Sequence, residues 1–159
     1  MSKYACVRTD NMSGTLQGKD LVSLKFDGKI ENGCVVKVGA FLEGEREVRE
    51  AVVPTSADKK EDLALIASPE VIKSKTYHSL SEFVNEDGSI CRGYRLADPK
   101  QLFSITKEAF VEGAAPVKGD FVVVGDNCKW NVAKSEVEGT TTVGKVVLVE
   151  GQWYVIEVA

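Results

Sequence analysis

The sequence is poor in the residues that most often carry catalysis or hold metal ions. Its 159 residues include one histidine, His78, so a histidine-based triad would have to use that residue. A metal site built from several histidines is excluded on the same count. Because His78 lies in a polar stretch, we interpret it as a solvated loop residue.

Cysteines are also few, and they are scattered singly along the chain. No C-x-x-C pair is present that could bring two thiolates onto one metal through a tight turn. A start without the apolar core of a secretory signal predicts a protein made where thiols stay reduced. We therefore expect four small, buried, apolar side chains and neither a zinc site nor a disulfide. These are Cys6, Cys34, Cys91 and Cys128.

Long apolar runs and an excess of positive charge are both missing. No segment approaches the ~18 to 20 apolar residues that cross a bilayer, so we expect a soluble, intracellularly made protein without a membrane partner. A formal net charge of -4 removes the general attraction to phosphate on which a nucleic-acid binder depends. We expect no nucleic-acid partner.

Valine is the most frequent apolar residue, and it gathers in short runs bounded by glycine. Branching at Cβ suits strands better than helices. Alternation over Val22, Leu24 and Phe26 predicts a strand that ends at an Asp-Gly turn, and Leu63 to Ala67 predicts a buried strand. The Glu150-Gly151 turn joins two final strands whose faces are both substantially apolar, which indicates a closed barrel or a sandwich.

The predicted fold class is therefore mainly β, a small β-barrel or β-sandwich with a minor helical or irregular central segment at residues 70–89. We expect a polar N-terminal arm over residues 1–20 and a β-rich domain over residues 21–159. That domain has a possible division into two small β subdomains near residues 70–89.

The motifs that would indicate chemistry are incomplete. Residues 139–145 spell the first seven positions of a phosphate-binding loop, but Val146 stands where Ser or Thr is needed, and a strand follows instead of a helix. Two Ser-x-x-Lys matches, at Ser56 and Ser104, fall in a predicted loop and a predicted strand. No base, nucleophile and orienting partner come together. We predict no enzyme activity, no cofactor and no metal.

Several stretches resemble small capsid-associated proteins that are encoded near the major capsid gene of tailed phages infecting Gram-positive bacteria. The similarity covers most of the chain and rests on pattern, without a catalytic signature. The matching stretches are residues 10–15 (DNMSGT), 31–33 (ENG), 44–48 (GEREV), 51–54 (AVVP), 65–71 (LIASPEV), 92–96 (RGYRL), 103–106 (FSIT) and 143–146 (VGKV).

This resemblance implies a decoration (cement) protein, a virion structural protein that binds the outside of the capsid shell and stabilises it. The implied partner is the major capsid protein, with self-association as a trimer or between lattice neighbours. The implied location is the capsid surface after synthesis in the bacterial cytoplasm. The polar N-terminal segment and the charged segment 43–50 supply the candidate capsid contacts. These are Tyr4, Arg8, Asn11, Glu45, Arg46 and Arg49.

Two other classes of function stay open at the level of sequence. One is a β-barrel ligand-binding or host-attachment module that uses Trp130 and Trp153 to stack on a cell-surface glycan. In the alternative interpretation of these aromatic residues, they belong to the core. The other class is a hydrolase whose catalytic residues carry no recognisable motif.

Overall fold

Strands dominate the protein, as the valine-rich pattern predicts. The computed structural model describes residues 3–70 and 80–159, which form eleven strands, one short α-helix and three 3₁₀ turns. The strands are β1 (Val7–Asn11), β2 (Leu21–Phe26), β3 (Val35–Phe41), β4 (Val48–Val52), β5 (Leu63–Ile66), β6 (Ile90–Arg95), β7 (Leu102–Ile105), β8 (Phe121–Val124), β9 (Trp130–Ala133), β10 (Thr142–Glu150) and β11 (Trp153–Val158). The helix is α1 (Ser13–Gln17), and the 3₁₀ turns are Lys60–Asp62, Leu80–Glu82 and Lys107–Ala109.

Strands β2 to β6 close into a small barrel in the order β2-β4-β3-β5-β6. Strands β2 and β4 pair in parallel, whereas the other pairs of the barrel are antiparallel. The alternation predicted for β2 is present, since Leu24 is fully buried inside the barrel and Val22 and Phe26 pack beside it. The predicted fold class, mainly β with a small barrel, is confirmed.

The remaining strands form an open, antiparallel sheet in the order β1-β7-β11-β10-β8-β9. The predicted C-terminal hairpin is confirmed, with Glu150 paired to Trp153 across a turn in which Gly151 has a φ of 60°. The two-sided apolar character of this hairpin indicated a barrel or a sandwich. In the structure it lies in the open sheet, and the strands that close the barrel come earlier in the chain.

One strand of the barrel, β5, explains how the barrel and the open sheet are joined. Its residues are all buried, which confirms the predicted buried strand. Leu63 and Leu65 face the core shared with the open sheet, whereas Ala64 and Ile66 face the barrel interior. Because successive side chains of a strand point to opposite faces, a continuous apolar run fills two cores at once.

The N-terminal segment differs from the expected arm. Strand β1 pairs with β7, with Val7 opposite Ile105, and it forms one edge of the open sheet. Ala5, Val7 and Met12 are buried in the core shared by the sheet and the barrel. Their apolar side chains are too widely spaced to mark a strand in a polar segment, yet each one fills a place in the packed core.

The division of the chain also falls elsewhere than predicted. Strand β6 still belongs to the barrel, so the chain leaves the barrel after residue 95 and not near residues 70–89. Within that central segment the structure describes a 3₁₀ turn at Leu80–Glu82 and a bridge between Asn85 and Ile30. Residues 71–79, which include His78, lie outside the described residues.

Hydrogen bonds fasten the β8–β9 connection to the chain just before and within β3. The indole Nε1 of Trp130 donates to the carbonyl of Gly33 at 2.8 Å, and the amide of Val35 donates to the carbonyl of Cys128 at 2.9 Å. The ammonium group of Lys129 lies 3.0 Å from the carboxylate of Glu31. Trp130 is fully buried, so these contacts fix the open sheet against the barrel.

A buried polar network ties together three loops at one end of the barrel. The side chain of Asn32 donates to the carbonyl of Ser68 at 2.9 Å and accepts from the amide of Ser68 at 3.0 Å. The amide group of Asn85 donates to Asn32 Oδ1 and to the carbonyl of Ile30, both at 3.0 Å. The loops are held because each buried polar group has a partner.

Candidate interaction surfaces

The six predicted contact residues fall into two groups on different parts of the fold. One group lies in strand β1 and in the segment just before it, and the other lies at the β3–β4 hairpin of the barrel. The structure therefore does not bring the six together into one site. The first group is Tyr4, Arg8 and Asn11, and the second is Glu45, Arg46 and Arg49.

In the first group, Arg8 stacks on the ring of Trp153. The guanidinium carbon of Arg8 lies 4.2 Å from the ring centroid, although the two residues are far apart in sequence. The sheet order β1-β7-β11 brings them together, because Arg8 lies opposite Ser104 of β7, and Ser104 lies opposite Val155 of β11. Arg8 is exposed and Trp153 is half-buried, so the stack forms part of the surface.

In the second group, Arg49 stacks on the ring of Phe41. The two residues lie opposite each other in the β3–β4 pair, and the guanidinium carbon is 4.0 Å from the ring centroid. Arg49 Nη1 also donates to the carbonyl of Gly39 at 3.1 Å, which fixes the orientation of the side chain. Because Phe41 is 50% exposed, the ring presents an apolar face to solvent beside a fixed cation.

The other candidate residues are placed differently. The amide of Tyr4 donates to the carbonyl of Ser81 at 2.8 Å, and the Tyr4 ring lies 5.1 Å from the Lys3 ammonium group. Asn11 ends strand β1 and is exposed. Glu45 and Arg46 are exposed in the β3–β4 connection, where the amide of Glu45 donates to the carbonyl of Leu42.

Two features of these surfaces are not predicted by the sequence pattern. One is Phe41, because the local sequence does not distinguish an exposed aromatic side chain at a strand end from a buried one. Leu148 and Val149, each about two-fifths exposed, lie on β10 beyond the residues paired with β8. Alternation within β10 predicts a strand and does not tell which part of the strand extends beyond its neighbour.

A cleft of about 270 Å³ opens between the barrel and the β8–β9 connection. Tyr4, Phe26 and Val53 contribute to its walls, and the buried residues Cys34 and Cys128 also line it. Burial raises the pKa of the Cys34 thiol to about 12 and that of the Cys128 thiol to about 11, although the nearby Lys129 ammonium opposes both shifts. Both side chains are therefore neutral thiols at physiological pH.

The expectation of free, buried cysteines is confirmed. All four cysteines are unpaired thiols with buried side chains. Burial also raises the pKa of the Cys91 thiol, while the hydroxyls of Ser89 and Ser68 oppose this shift. Burial likewise raises the pKa of Cys6, with further contributions from neighbouring carboxylates.

The incomplete catalytic and ligand-binding motifs of the sequence lie in ordinary structural elements. Gly144 and Lys145 lie within strand β10, so no helix N-terminus follows the phosphate-loop spelling. Ser104 lies in strand β7. Trp130 is fully buried and packs against Phe103 with ring centroids 5.8 Å apart, which removes it as a residue on which a glycan could stack.

Comparisons with known proteins add no assignment. Neither protein-family models, curated proteins nor solved structures match this chain. Within the described residues, no group of three or more His, Cys, Asp or Glu side chains is arranged to hold a metal ion. None of the helices in residues 3–70 and 80–159 has the length and apolar character needed to cross a membrane.

Proposed function

We propose that the protein is a decoration (cement) protein of a tailed phage, which binds the outside of the capsid shell and stabilises it. The observation that carries this proposal is the pair of surface Arg–aromatic stacks, Arg8 on Trp153 and Arg49 on Phe41. Arginine and aromatic residues are enriched in the cores of protein interfaces and among the residues that dominate binding energy.

The geometry of the stacks favours binding to another protein surface. A stacked guanidinium has lost part of its rotational freedom before a partner arrives, so less entropy is lost on association. Arg49 is held by both Phe41 and the carbonyl of Gly39, which leaves the edge of a planar cation to donate to a carbonyl or carboxylate of the partner.

The position of the stacks favours contact with more than one subunit. One stack lies on the open sheet and the other on the barrel, and buried contacts join these two parts of the fold. A rigid body with two separate contact surfaces can bridge neighbouring copies of the major capsid protein. Each contact can be weak, because the first contact raises the effective concentration for the second. Self-association between lattice neighbours would add contacts of the same kind.

The test is co-sedimentation of the purified protein with expanded phage heads that lack it, followed by heating of the heads with and without it. We expect saturable binding and a higher disruption temperature, since a ligand that prefers the assembled shell stabilises it. Arg8→Ala and Arg49→Ala should each weaken binding about tenfold, and the double variant should weaken it further.

Two matched variants separate the role of the stacks from general effects. Arg49→Lys keeps the charge but loses the planar stack, and it should lose most of the affinity that Arg49→Ala loses. Val137 takes part in neither stack and is about as exposed as Phe41. Val137→Ala should therefore bind like the parent protein. Absence of binding to expanded heads by the folded parent protein would overturn the proposal, and binding to a cell-wall polymer through Trp153 would then favour a host-attachment module.

A further inference from the structure

The turn between β8 and β9 has an unusual residue at its second central position. The amide of Lys129 donates to the carbonyl of Asp126 at 3.0 Å, and the central residues Asn127 and Cys128 have φ angles of 54° and 62°. Two successive positive φ angles are the pattern of a type I′ turn, for which Asn-Gly is the preferred pair. Glycine would relieve the strain at this position, so the side chain of Cys128 is accommodated at a cost in backbone energy.

The side chain of Cys128 reaches into the other part of the fold. Its backbone lies in the turn between two strands of the open sheet, but the residue is 3% exposed and its side chain packs in the barrel core together with Cys34. Both residues line the cleft between the barrel and the β8–β9 connection, whereas neither Cys6 nor Cys91 is among its lining residues.

Backbone geometry places the two cysteines within reach of each other. The amide of Val35 donates to the carbonyl of Cys128 at 2.9 Å. With standard bond lengths on both sides of this hydrogen bond, the Cα atoms of Cys34 and Cys128 are less than about 8 Å apart. Disulfides join Cα atoms up to about 7 Å apart, provided that the two side chains point towards each other. Both side chains pack in the same buried cluster, so at most a small adjustment of the turn is needed.

We propose that Cys34 and Cys128 form a dithiol site that a small organic disulfide, such as oxidised glutathione, converts into a disulfide linking the barrel to the open sheet. The Cys128 thiolate attacks one sulfur of the reagent, and the other sulfur leaves as a thiol after taking up a proton. Cys34 then gives up its proton and attacks Cys128 Sγ, which releases the second thiol. The two cysteines lose two protons and two electrons, and the reagent gains them.

The cleft provides the path by which the reagent enters. Because burial raises the pKa of both thiols, little thiolate is present at neutral pH and the exchange is slow. The rate of exchange should rise about tenfold for each pH unit until the pH approaches the pKa of the attacking thiol. Oxidation of this dithiol is independent of capsid binding and can be measured without phage heads.

The experiment incubates the full-length, folded protein with oxidised glutathione at mildly alkaline pH, followed by peptide mapping without reduction. We expect a peptide in which Cys34 is joined to Cys128. A cross-link that closes so long a loop should raise the thermal midpoint by about 10 °C, and dithiothreitol should reverse the shift. Cys34→Ser and Cys128→Ser should lose both the linked peptide and the shift.

Two further variants act as matched controls. Cys91→Ser alters another thiol of the barrel core and should still form the link. Cys128→Gly relieves the turn and should fold but form no link. The inference is overturned if the parent protein stays unmodified until it unfolds, if the link involves Cys6 or Cys91, or if the Cys34–Cys128 link leaves the thermal midpoint unchanged or lowers it.

Discussion

The side chain of Asn32 is expected to be among the polar groups on which stability depends most. It is 1% exposed and holds both backbone groups of Ser68, by donating to the carbonyl and accepting from the amide. Asn32→Ala leaves both the carbonyl and the amide of Ser68 without this hydrogen-bond partner. A buried polar group left without a partner costs about 1 to 3 kcal/mol, so we expect a loss of roughly 4 kcal/mol in the free energy of unfolding.

Asn85→Ala is the comparison that tests this reasoning. Asn85 Nδ2 donates to Asn32 Oδ1 and to the carbonyl of Ile30, but each acceptor keeps another donor after the substitution. Asn32 Oδ1 still accepts from the amide of Ser68, and the carbonyl of Ile30 still accepts from the backbone amide at position 85. We therefore expect a loss of about 1 kcal/mol, although Asn85 is also buried.

Urea unfolding followed by circular dichroism measures both effects. A shift of the midpoint at constant slope reports a change in stability alone. The thermal midpoint of Asn32→Ala should fall by roughly 10 °C, and the exposed control Asn11→Ala should lie within about 0.5 kcal/mol of the parent protein. Equal losses for Asn32→Ala and Asn85→Ala, or a loss below about 1 kcal/mol for Asn32→Ala, would refute the argument.

Two further predictions concern the loss of stability at acid pH and the close packing of a buried glycine. Burial disfavours the charged form of Asp120, but hydrogen bonds from Lys134 Nζ at 2.8 Å and from the amide of Val117 at 3.0 Å outweigh it, so the pKa is lowered. A lowered pKa contributes stability that is present above the unfolded-state pKa near 3.9 and is lost as the pH falls through the folded-state pKa. The free energy of unfolding should therefore fall at acid pH, and this fall is the acid limb of the stability curve. Asp120→Asn should flatten the acid limb in urea titrations at a series of pH values. Gly144→Ala should cost several kcal/mol or prevent folding, because a Cβ atom would overlap the backbone carbonyl of Glu157.

Each of these predictions has a matched control. Asp27→Asn removes an exposed carboxylate and controls for the change in net charge. An unchanged acid limb in Asp120→Asn would contradict the assigned role of the Lys134 contact. Lys145→Ala, next to Gly144 and exposed, should change stability by less than about 1 kcal/mol. A Gly144→Ala protein that unfolds at the parent midpoint would contradict the packing argument.

Local pattern was sufficient to predict several elements of the fold. Alternation in β2, the apolar run of β5 and the Glu150-Gly151 turn identify strands without knowledge of their partners. The pairing of the strands could not be predicted in this way. The parallel β2–β4 pair brings Ser23 opposite Val48, and the sequence of neither strand indicates which strand it pairs with.

The candidate surfaces show the same division between local and distant information. Arg8 and Arg49 were selected from charged, polar segments, and both are exposed or half-exposed in the structure. Their aromatic partners were not predicted, because each contact depends on strand order or register. The N-terminal segment was predicted to be an arm for a related reason, since the place of Met12 in the core is visible only once the barrel and the sheet are packed together.

The pairing of β1 with β7 has a consequence for the order in which the chain can fold during its synthesis. The amide of Cys6 donates to the hydroxyl of Thr106, 100 positions later in the chain. The first strand to leave the ribosome must therefore wait for its partner, while the barrel strands between them can already close. Contacts so distant in sequence slow folding and leave intermediates with exposed apolar surface. The outer face of β5, with Leu63 and Leu65, should be the surface that a chaperone meets during that interval.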